Sequence, residues 1–274
     1  MTLLFWNLHR EARADLCANL AYEHSATLLI VAECPRPLAV LNELNKRTEV
    51  PNYHLLRNHY ETRLAIYSRF APYNWEELEG NRYFTIRRLN TKQGPDLVFA
   101  LAHLPILHLP KRDLEKIRDL FITAIHEAEA KLGHTRTIAV GDFNAEPFDP
   151  WVFSADGLHA VPTRQLAKKA SRRVRGKEYP YFFNPMWSLF GREDLGPPGT
   201  FYASKSQLQC PFWHIYDHIL IRPALLDRLP VDGVTILAGD STTSYLNRDG
   251  SPNQRIASDH LPIMMKLNSE GDRR

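Results

Sequence analysis

Residues 137–144 read TIAVGDFN, a short apolar run that ends at polar side chains. Runs of this length and composition are typical of strands that are buried on both faces of a sheet. If the strand continues past the glycine, Asp142 and Asn144 lie two residues apart and point to the same side. A carboxylate can take a proton from water, and a neighbouring amide can donate to an oxyanion. The alternative interpretation is an Asx turn, in which both side chains cap backbone amides.

The same arrangement, an apolar run bounded by a polar residue, recurs along the chain. Some runs end at the polar residue: Leu3–Trp6 at Asn7, Thr27–Ala32 at Glu33, Leu97–Ala102 at His103, and Thr137–Gly141 at Asp142. Others begin at one: His218–Arg222 after Asp217, and Leu261–Leu267 after Asp259 and His260. If the second group runs antiparallel to the first, all these polar side chains meet at one rim of the sheet. The strand order therefore predicts a shared site.

Amphipathic patterns predict two helices, over Glu11–His24 and Pro110–Leu132. The second is the clearer one, because proline suits a first helical turn and Gly133 is a typical stop. Strands interleaved with helices indicate an α/β sandwich with sheets inside and helices outside. No internal repeat or long linker divides residues 1–274, so we expect a single domain.

The overall composition excludes several classes of protein. Of the 274 residues, 44% are hydrophobic and 24% are charged, which excludes a disordered chain. No apolar run is long enough to span a bilayer, so we expect no stable membrane insertion. The N-terminus lacks the features of a secretory signal. The three cysteines have no metal-type spacing and indicate neither a metal site nor a disulfide scaffold, so we expect a cytoplasmic location.

Positive charge is concentrated in residues 163–177, TRQLAKKASRRVRGK, which hold seven basic side chains and no acidic one. The net charge of the chain is +3, so acidic residues outnumber basic ones elsewhere. The spacing of the basic residues in 163–177 predicts several cations on adjacent faces of one helix. Cations so placed repel one another unless phosphates offset the repulsion. A solvated face is the alternative interpretation. The candidate nucleic-acid contacts are Lys168, Lys169, Arg172, Arg173 and Arg175.

The basic run belongs to a longer predicted insertion at about residues 160–215. Eleven aromatic residues lie between Tyr179 and Tyr216, interrupted by prolines and a glycine. Exposed aromatic side chains can stack on unpaired bases. We expect instead that most of them form the core of the insertion, with at most one or two exposed.

Taken together, these motifs resemble the endonuclease/exonuclease/phosphatase superfamily, the DNase I-like group of metal-dependent phosphoesterases. The similarity runs in order from Asn7 to Leu267, with residues 150–212 largely unmatched. It rests on Asn7, Glu33, RLAIYSR at 63–69, AHL at 102–104, GDFN at 141–144, YDHILI at 216–221 and SDHLP at 258–262. The resemblance implies a four-layer α/β sandwich with two central mixed β-sheets flanked by helices.

The resemblance also implies a metal cofactor. Glu33 would hold Mg²⁺, with Asn7 and Asp259 at the same cluster, and Mn²⁺ is expected to substitute. Oxygen ligands of this kind are those that hard divalent cations prefer.

The resemblance further assigns catalytic roles. Asp142 would orient or deprotonate the attacking water, and Asn144 would contact the scissile phosphate. His260 would stabilise the transition state, oriented by Asp217. His103 stands where the nuclease I and sphingomyelinase-like branches also have histidine. The abasic-site branch has Tyr there and an Arg two residues before the Asp217 position, where this chain has Ile215, so abasic-site repair is not indicated.

The predicted function is that of a Mg²⁺-dependent nuclease, which hydrolyses phosphodiester bonds of DNA or RNA with an activated water. Such hydrolysis needs a nucleophile and neutralisation of charge on the phosphoryl oxygens. One alternative keeps this chemistry but acts on a small phosphate ester or a lipid headgroup. A second alternative is a catalytically inactive nucleic-acid-binding module. The sequence indicates no particular protein partner.

Overall fold

Two mixed β-sheets pack face to face, and helices cover their outer faces. This is the arrangement in a computed structural model, which describes residues 1–47, 50, 52–60, 62–91, 94–105, 109–203 and 213–269. The predicted α/β sandwich, with two central mixed sheets flanked by helices, is confirmed.

The strands are short, and most are buried. In chain order they are β1 (Thr2–Asn7), β2 (Leu28–Ala32), β3 (His54–Leu55), β4 (Leu64–Ser68), β5 (Trp75–Gly80), β6 (Phe84–Leu89), β7 (Leu97–His103), β8 (Thr137–Asp142), β9 (Ala160–Val161), β10 (Ser171–Val174), β11 (Lys177–Pro180), β12 (Phe182–Phe183), β13 (Phe201–Tyr202), β14 (Trp213–His214), β15 (Asp217–Ile221), β16 (Val234–Ile236) and β17 (Ile263–Lys266).

The α-helices are α1 (Ala14–Glu23), α2 (Pro37–Lys46), α3 (Lys111–Leu132), α4 (Pro150–Phe153) and α5 (Arg164–Ala167). Short 3₁₀ turns occur at Pro72–Asn74, Pro185–Ser188, Glu193–Leu195 and Pro223–Arg228. None of the helices that the structure describes is both long and apolar enough to cross a membrane.

The six-stranded sheet has the order β16-β17-β1-β2-β4-β3. Within it β1 runs parallel to β2 and antiparallel to β17. The seven-stranded sheet has the order β5-β6-β7-β8-β15-β12-β9, with β7 parallel to β8 and β15 antiparallel to β8. The strands that follow Asp217 and His260 were predicted to run antiparallel to the others. This is confirmed for β15 in the seven-stranded sheet and for β17 in the six-stranded sheet.

Gly141 is required by the close approach of β7 and β8. A Cβ atom at this position would lie 1.8 Å from the carbonyl oxygen of Ala102, and the residue has φ 154°. The pairing places His103 beside Asp142, and β15 places Asp217 on its other side. The glycine of the GDFN motif thus lets three polar side chains lie next to one another.

Apolar side chains fill two layers. One cluster lies between the sheets and continues to α1 and α2, and includes Leu4, Ile30 and Leu101. The other lies between the seven-stranded sheet and α3, where Phe121 packs against Phe84 and Phe143. The buried face of the predicted amphipathic helix, now α3, supplies one side of this second layer.

The two predicted helices exist, with small differences in extent. α3 spans Lys111–Leu132, one residue shorter than predicted at its start, and Gly133, with φ 68°, caps it as predicted. α1 begins at Ala14 rather than Glu11. The preceding residues form a turn, in which the Glu11 amide donates to the Leu8 carbonyl. The apolar spacing alone does not reveal this turn.

The basic segment does not form one helix, so that prediction was wrong. α5 ends at Ala167, and residues 171–180 form an antiparallel hairpin of β10 and β11. Arg175 and Gly176 have φ values of 49° and 82°, the left-handed conformation that tight two-residue hairpin turns require. The hairpin places Arg172 and Arg173 on a strand, and both are exposed.

Part of the predicted insertion belongs to the main sheet. β9 and β12 pair with each other, and β12 extends the seven-stranded sheet from β15. Among the aromatics of this segment that the structure describes, none is an exposed side chain, as expected for a core. Phe212, Cys210 and the polar C-terminal residues 270–274 lie outside the described residues.

Candidate active site

The polar residues at the strand ends lie together, but on two sheets rather than on one rim. The six-stranded sheet supplies Asn7 from β1, Glu33 just after β2, and Asp259 and His260 ahead of β17. The seven-stranded sheet supplies His103 from β7, Asp142 from β8 and Asp217 from β15. The site therefore exists only where the ends of the two sheets face each other.

Asp142 is at the centre of the site and is buried. Its Oδ2 accepts a hydrogen bond from the Asn7 amide at 2.9 Å, and its Oδ1 accepts one from the Asn144 backbone N–H at 2.9 Å. Burial and the nearby charge of Asp217 raise the pKa of Asp142 to about 7, against the lowering effect of His260 and these hydrogen bonds. The carboxylate both closes an Asx turn and directs its second oxygen into the site.

His260 and Asp217 form a buried hydrogen-bonded pair. Nδ1 of His260 donates to Oδ2 of Asp217 at 2.8 Å, and Nε2 lies 3.9 Å from Oδ2 of Asp142. Burial alone lowers the pKa of His260, but the adjacent carboxylates and this hydrogen bond raise it to about 10. The Trp6 indole N–H donates to the His260 carbonyl at 2.9 Å and holds the backbone in place. His260 is therefore a cation at neutral pH.

His103 has the opposite electrostatic character. Burial, together with the positive charges of Arg63 and His260, lowers its pKa to about 4 in spite of the charge of Glu33. Its Nε2 lies 3.5 Å from Oε1 of Glu33 and 3.9 Å from Oδ2 of Asp142. The site thus holds one neutral and one cationic imidazole.

Asn144 lies beyond the end of β8, in the left-handed region at φ 48°. The expectation that strand alternation aligns it with Asp142 was therefore wrong. Its side-chain amide donates to the Leu104 carbonyl at 2.8 Å, and the residue lines a cleft of about 600 Å³ beside the site. Asparagine tolerates this backbone conformation better than most residues.

The metal ligands that the resemblance suggests are chemically suited to a hard cation. Oε2 of Glu33 lies 3.3 Å from Nε of Arg10, and Oδ2 of Asp259 lies 3.4 Å from Nδ1 of His9. These contacts are longer than charge-assisted hydrogen bonds, and the Arg10 and His9 side chains are mainly exposed. The two carboxylates are largely buried, at 16% and 10% exposed, so these long contacts to exposed groups offset little of their charge. Asn7, at the end of the neighbouring strand β1, pairs with Ala32, the residue before Glu33. A divalent cation would supply the missing charge.

A second set of possible ligands is less suited to a metal. Asp142, Asp217 and His260 each offer one ligand atom within 4.8 Å of the others. However, ligation through Nε2 of His260 requires loss of the second proton of the imidazolium. Burial opposes that cation, but the adjacent carboxylates favour it and raise the pKa of His260 to about 10. The arrangement suits proton transfer and charge stabilisation better than direct ligation by His260.

Glu33 has an unusual backbone conformation, with φ 51°. A side chain other than glycine or asparagine rarely occupies this region, and strain of this kind is concentrated at functional sites. The Glu33 amide donates to the Arg63 carbonyl at 3.0 Å, which helps to hold the turn. The conformation aims a carboxylate from the end of β2 toward the site.

The structure places the predicted nucleic-acid contacts away from these residues. Arg222 follows β15 at the end opposite Asp217, and its guanidinium donates to the carbonyls of Pro180 and Tyr181 at the base of the hairpin. The cationic side chains themselves are exposed: Lys168, Lys169, Arg172, Arg173 and Arg175.

One pair beside the site has no counterpart in the sequence analysis. Nδ1 of His214 lies 2.5 Å from Oε1 of Glu146, and both side chains are largely buried. Glu146 also accepts a hydrogen bond from the Ile215 N–H at 3.2 Å. The sequence could have suggested Glu146 as a site residue, because it lies two residues after the GDFN motif. No pattern of neighbouring residues, however, indicates that it pairs with His214.

Solved structures share this fold at low sequence identity. An endonuclease/exonuclease/phosphatase family protein from Leptotrichia buccalis is 15% identical with a TM-score of 0.59, over 98% of this chain and 100% of that chain. The 3′ phosphatase NExo from Neisseria, bound to a product DNA hairpin, is 17% identical with a TM-score of 0.53, over 98% and 100%. TDP2 from D. rerio, complexed with a single-strand DNA product, is 15% identical with a TM-score of 0.57, over 98% and 99%.

At these identities the structural similarity shows the fold alone, and no curated protein sequence matches this chain. The sequence model of the Endonuclease/Exonuclease/phosphatase family, however, matches residues 4–260, which span every strand end of the site. The chain therefore belongs to the endonuclease/exonuclease/phosphatase family, whose members are hydrolases that act on phosphodiester or phosphate bonds.

Proposed function

We propose that this protein is a divalent-metal-dependent phosphodiester hydrolase and that nucleic acid is its substrate. The observation that carries the proposal is the buried pair of His260 and Asp217 facing Asp142 across 3.9 Å. This arrangement keeps a cation and a proton acceptor together in a site that largely excludes water. Phosphodiester hydrolysis requires both.

Asp142 is the proposed base. A carboxylate with a pKa near neutrality combines a deprotonated fraction with enough basicity to accept a proton from water. Hydrogen bonds from Asn7 and from the Asn144 backbone hold its plane fixed, so the water that it orients has one direction of approach.

His260 is the proposed charge stabiliser. Asp217 holds its ring and its proton, so the imidazolium can neutralise charge that develops on a phosphoryl oxygen. His103, as a neutral imidazole, and the side-chain amide of Asn144 offer further hydrogen bonds to the phosphate.

Glu33, Asn7 and Asp259 would hold Mg²⁺ beside these residues, and Mn²⁺, which prefers similar ligands, would be able to replace it. When bound, the metal supplies Lewis-acid neutralisation of the phosphoryl oxygens. A catalytically inactive binding module is disfavoured, because a buried set of charged groups is costly to maintain without a use.

The basic segment supports a polymeric substrate. Residues 163–177 hold seven cations and no carboxylate, a composition suited to neutralising the phosphates of a polyanion. The basic segment lies beyond the end of β15 that is opposite the active site. The five residues of this strand, at about 3.3 Å each, separate the segment from the active site. A long nucleic acid can contact both, whereas a mononucleotide or a small ester reaches only the site.

The metal requirement tests the proposed chemistry. We expect EDTA to abolish hydrolysis and Mg²⁺ or Mn²⁺ to restore it, on a panel of plasmid DNA, single-stranded DNA, RNA and bis(p-nitrophenyl) phosphate. Glu33→Gln should weaken the dependence on metal as well as the rate, while Glu127→Gln on the exposed surface of α3 should change neither.

Full activity in EDTA after exhaustive dialysis would contradict the mechanism. If the protein hydrolyses the small ester but none of the nucleic acids on the panel, the alternative substrates, a small phosphate ester or a lipid headgroup, would be favoured instead.

A further inference from the structure

His218 is a fully buried polar side chain that the proposed chemistry does not use. It follows Asp217 on β15, and successive side chains of a strand point to opposite faces of the sheet. Asp217 faces the active site, so His218 faces the apolar layer between the seven-stranded sheet and α3, as does Leu220. Burying an imidazole in such a layer costs free energy unless its ring nitrogens have partners. An apolar side chain would fill this place at lower cost.

Both ring nitrogens of His218 have partners. Nε2 lies 2.9 Å from the Ala145 carbonyl oxygen, which can only accept, so Nε2 carries the proton and donates. Nδ1 lies 3.4 Å from the side-chain nitrogen of Asn184, a fully buried residue that follows β12. The oxygen of the Asn184 amide accepts the Met186 N–H at 3.0 Å, which turns the amide nitrogen toward His218. Burial lowers the pKa of His218, so the ring is neutral and keeps one donor and one acceptor.

The plane of the His218 ring is fixed as well. It is stacked on Phe143, with ring centroids 5.2 Å apart and an angle of 18° between the planes. Phe143 is the third residue of the GDFN motif, and its N–H donates to the Tyr216 carbonyl at 2.8 Å. His218 therefore contacts the chain on both sides of Asn144, through the ring face at Phe143 and through the hydrogen bond at Ala145.

Asn144, between these two contacts, has the left-handed φ of 48°. Residues with side chains keep such a conformation only where surrounding contacts hold it. The Asn144 N–H donates to Oδ1 of Asp142 at 2.9 Å, and the Asn144 side chain donates to the Leu104 carbonyl at 2.8 Å. A contact that holds Ala145 in place therefore also holds the turn against the Asp142 carboxylate.

We propose that His218 is a positioning residue for the hydrolysis: its hydrogen bond to Ala145 holds the Asn144 turn and, through that turn, the carboxylate of Asp142. The inference rests on the proposed function, in which Asp142 is the base. His218 acts from the face of β15 that is turned away from the active site, so it does not touch the reacting phosphate. Two neighbours on one strand thus serve the site from opposite faces, since Asp217 holds His260.

Two variants of similar size separate the hydrogen bond from the packing of the ring. Glutamine and methionine are both unbranched, but only glutamine has an N–H that can donate to the Ala145 carbonyl. We expect His218→Met to lower kcat on bis(p-nitrophenyl) phosphate by roughly tenfold or more at saturating Mg²⁺, the effect of a displaced catalytic group. KM should change little, and His218→Gln should keep most of kcat.

Leu220→Ala is the control for lost stability. Leu220 is fully buried on the same face of the same strand, and it pairs with Ala139 rather than with the GDFN motif. This variant should lower the urea midpoint without lowering kcat. If His218→Met does not fold, His218→Phe takes its place, because phenylalanine also lacks the donor and can stack on Phe143. Equal kcat in the variants with and without the donor, or an equal fall in Leu220→Ala, would overturn the proposal.

Nitrogen-15 NMR in EDTA tests the hydrogen bond without hydrolysis. In the unmodified protein the His218 ring should carry its proton on Nε2, and a proton on Nδ1 instead would overturn the proposal. Amide hydrogen exchange at Asn144 should be about fivefold to tenfold faster in His218→Met than in His218→Gln, the scale of one lost hydrogen bond.

The two kinds of measurement separate this inference from the proposed function. The expected tautomer and the expected difference in exchange, in a protein that hydrolyses nothing on the panel, would reject only the proposed function. An active protein in which His218→Met and His218→Gln have equal kcat and equal exchange at Asn144 would reject only the role of His218.

Discussion

Asp142 shows how one side chain serves both folding and chemistry. One carboxylate oxygen accepts the Asn144 backbone N–H and closes the turn after β8, while the other faces His103 and His260. A structural and a catalytic interpretation of the GDFN motif are therefore compatible. An amide at this position avoids the burial of a charge but can accept only one of the two hydrogen bonds from Asn7 and Asn144, so Asp142→Asn exchanges a desolvation penalty for one lost hydrogen bond.

Substitution of the two central groups should separate activity from stability. We expect Asp142→Asn and His260→Ala each to lower kcat by about a hundredfold to ten-thousandfold, the usual effect of losing a proton-transfer or charge-stabilising group. Substrate affinity should change little, because these groups act mainly in the transition state. Steady-state kinetics at saturating Mg²⁺ measures both, with Asp227→Asn and His54→Ala as controls. A variant that keeps more than roughly a tenth of the rate would remove that residue from its role.

At the scale of elements, the hairpin of β10 and β11 supports the proposal that the substrate is a long nucleic acid. Its strands pair Arg173 with Glu178 and Arg172 with Tyr179 through the backbone. Nε of Arg173 also donates to the Gly176 carbonyl at 3.2 Å, an exposed contact that adds little to a hairpin held by its backbone hydrogen bonds. Its base is held to Arg222, which donates to Pro180 and Tyr181. Changing the cations should therefore alter binding without altering the fold.

Replacing Lys168, Lys169, Arg172 and Arg173 with Gln should weaken binding to long nucleic acid and flatten its salt dependence. Each lost phosphate contact should reduce the log–log salt slope by roughly 0.7 to 0.9. Hydrolysis of bis(p-nitrophenyl) phosphate should be unchanged, because that ester reaches only the active site. Lys46→Gln with Arg248→Gln, two exposed cations elsewhere, is the control. An unchanged slope with intact nuclease activity would show that the segment is only a solvated face.

At the scale of the whole molecule, the active site depends on the packing of two sheets. Every proposed metal ligand comes from the six-stranded sheet, and Asp142, Asp217 and His103 come from the seven-stranded sheet. The bond between His260 and Asp217 joins the two. The layer of apolar side chains between the sheets therefore sets the distance across the site.

Leu101→Ala removes a fully buried side chain from that layer. We expect the free energy of unfolding to fall by about 2–5 kcal/mol, since a Leu→Ala change in a core loses burial and leaves a cavity. Urea denaturation measures the change, and hydrolysis should be lost over the same urea range as the fold. Val231→Ala, at a position 95% exposed, is the control. If Leu101→Ala lowers the free energy of unfolding no more than this control does, the apolar layer between the sheets does not stabilise the fold at this position.

The sequence by itself determined the features that depend on neighbouring residues. Run length and composition predicted the six strands that carry the site, Gly133 predicted the end of α3, and the ordered motifs predicted the two-sheet sandwich. These succeed because strand burial and helix caps depend on a few adjacent side chains. The same local view failed at Asn144, whose left-handed φ breaks strand alternation, and at the basic segment, where a two-residue turn replaces the helix.

The tertiary structure alone decided which distant residues meet. Asn7 and Asp142 are 135 positions apart, and Glu146 and His214 are 68 apart, yet each pair is hydrogen-bonded. It also decided that the site lies between two sheets, that the hairpin lies at the far end of β15, and that an aromatic cleft opens beside the catalytic residues. The physical reason is that side-chain periodicity specifies which face of an element is buried, whereas the partner of that face is chosen only when the sheets pack.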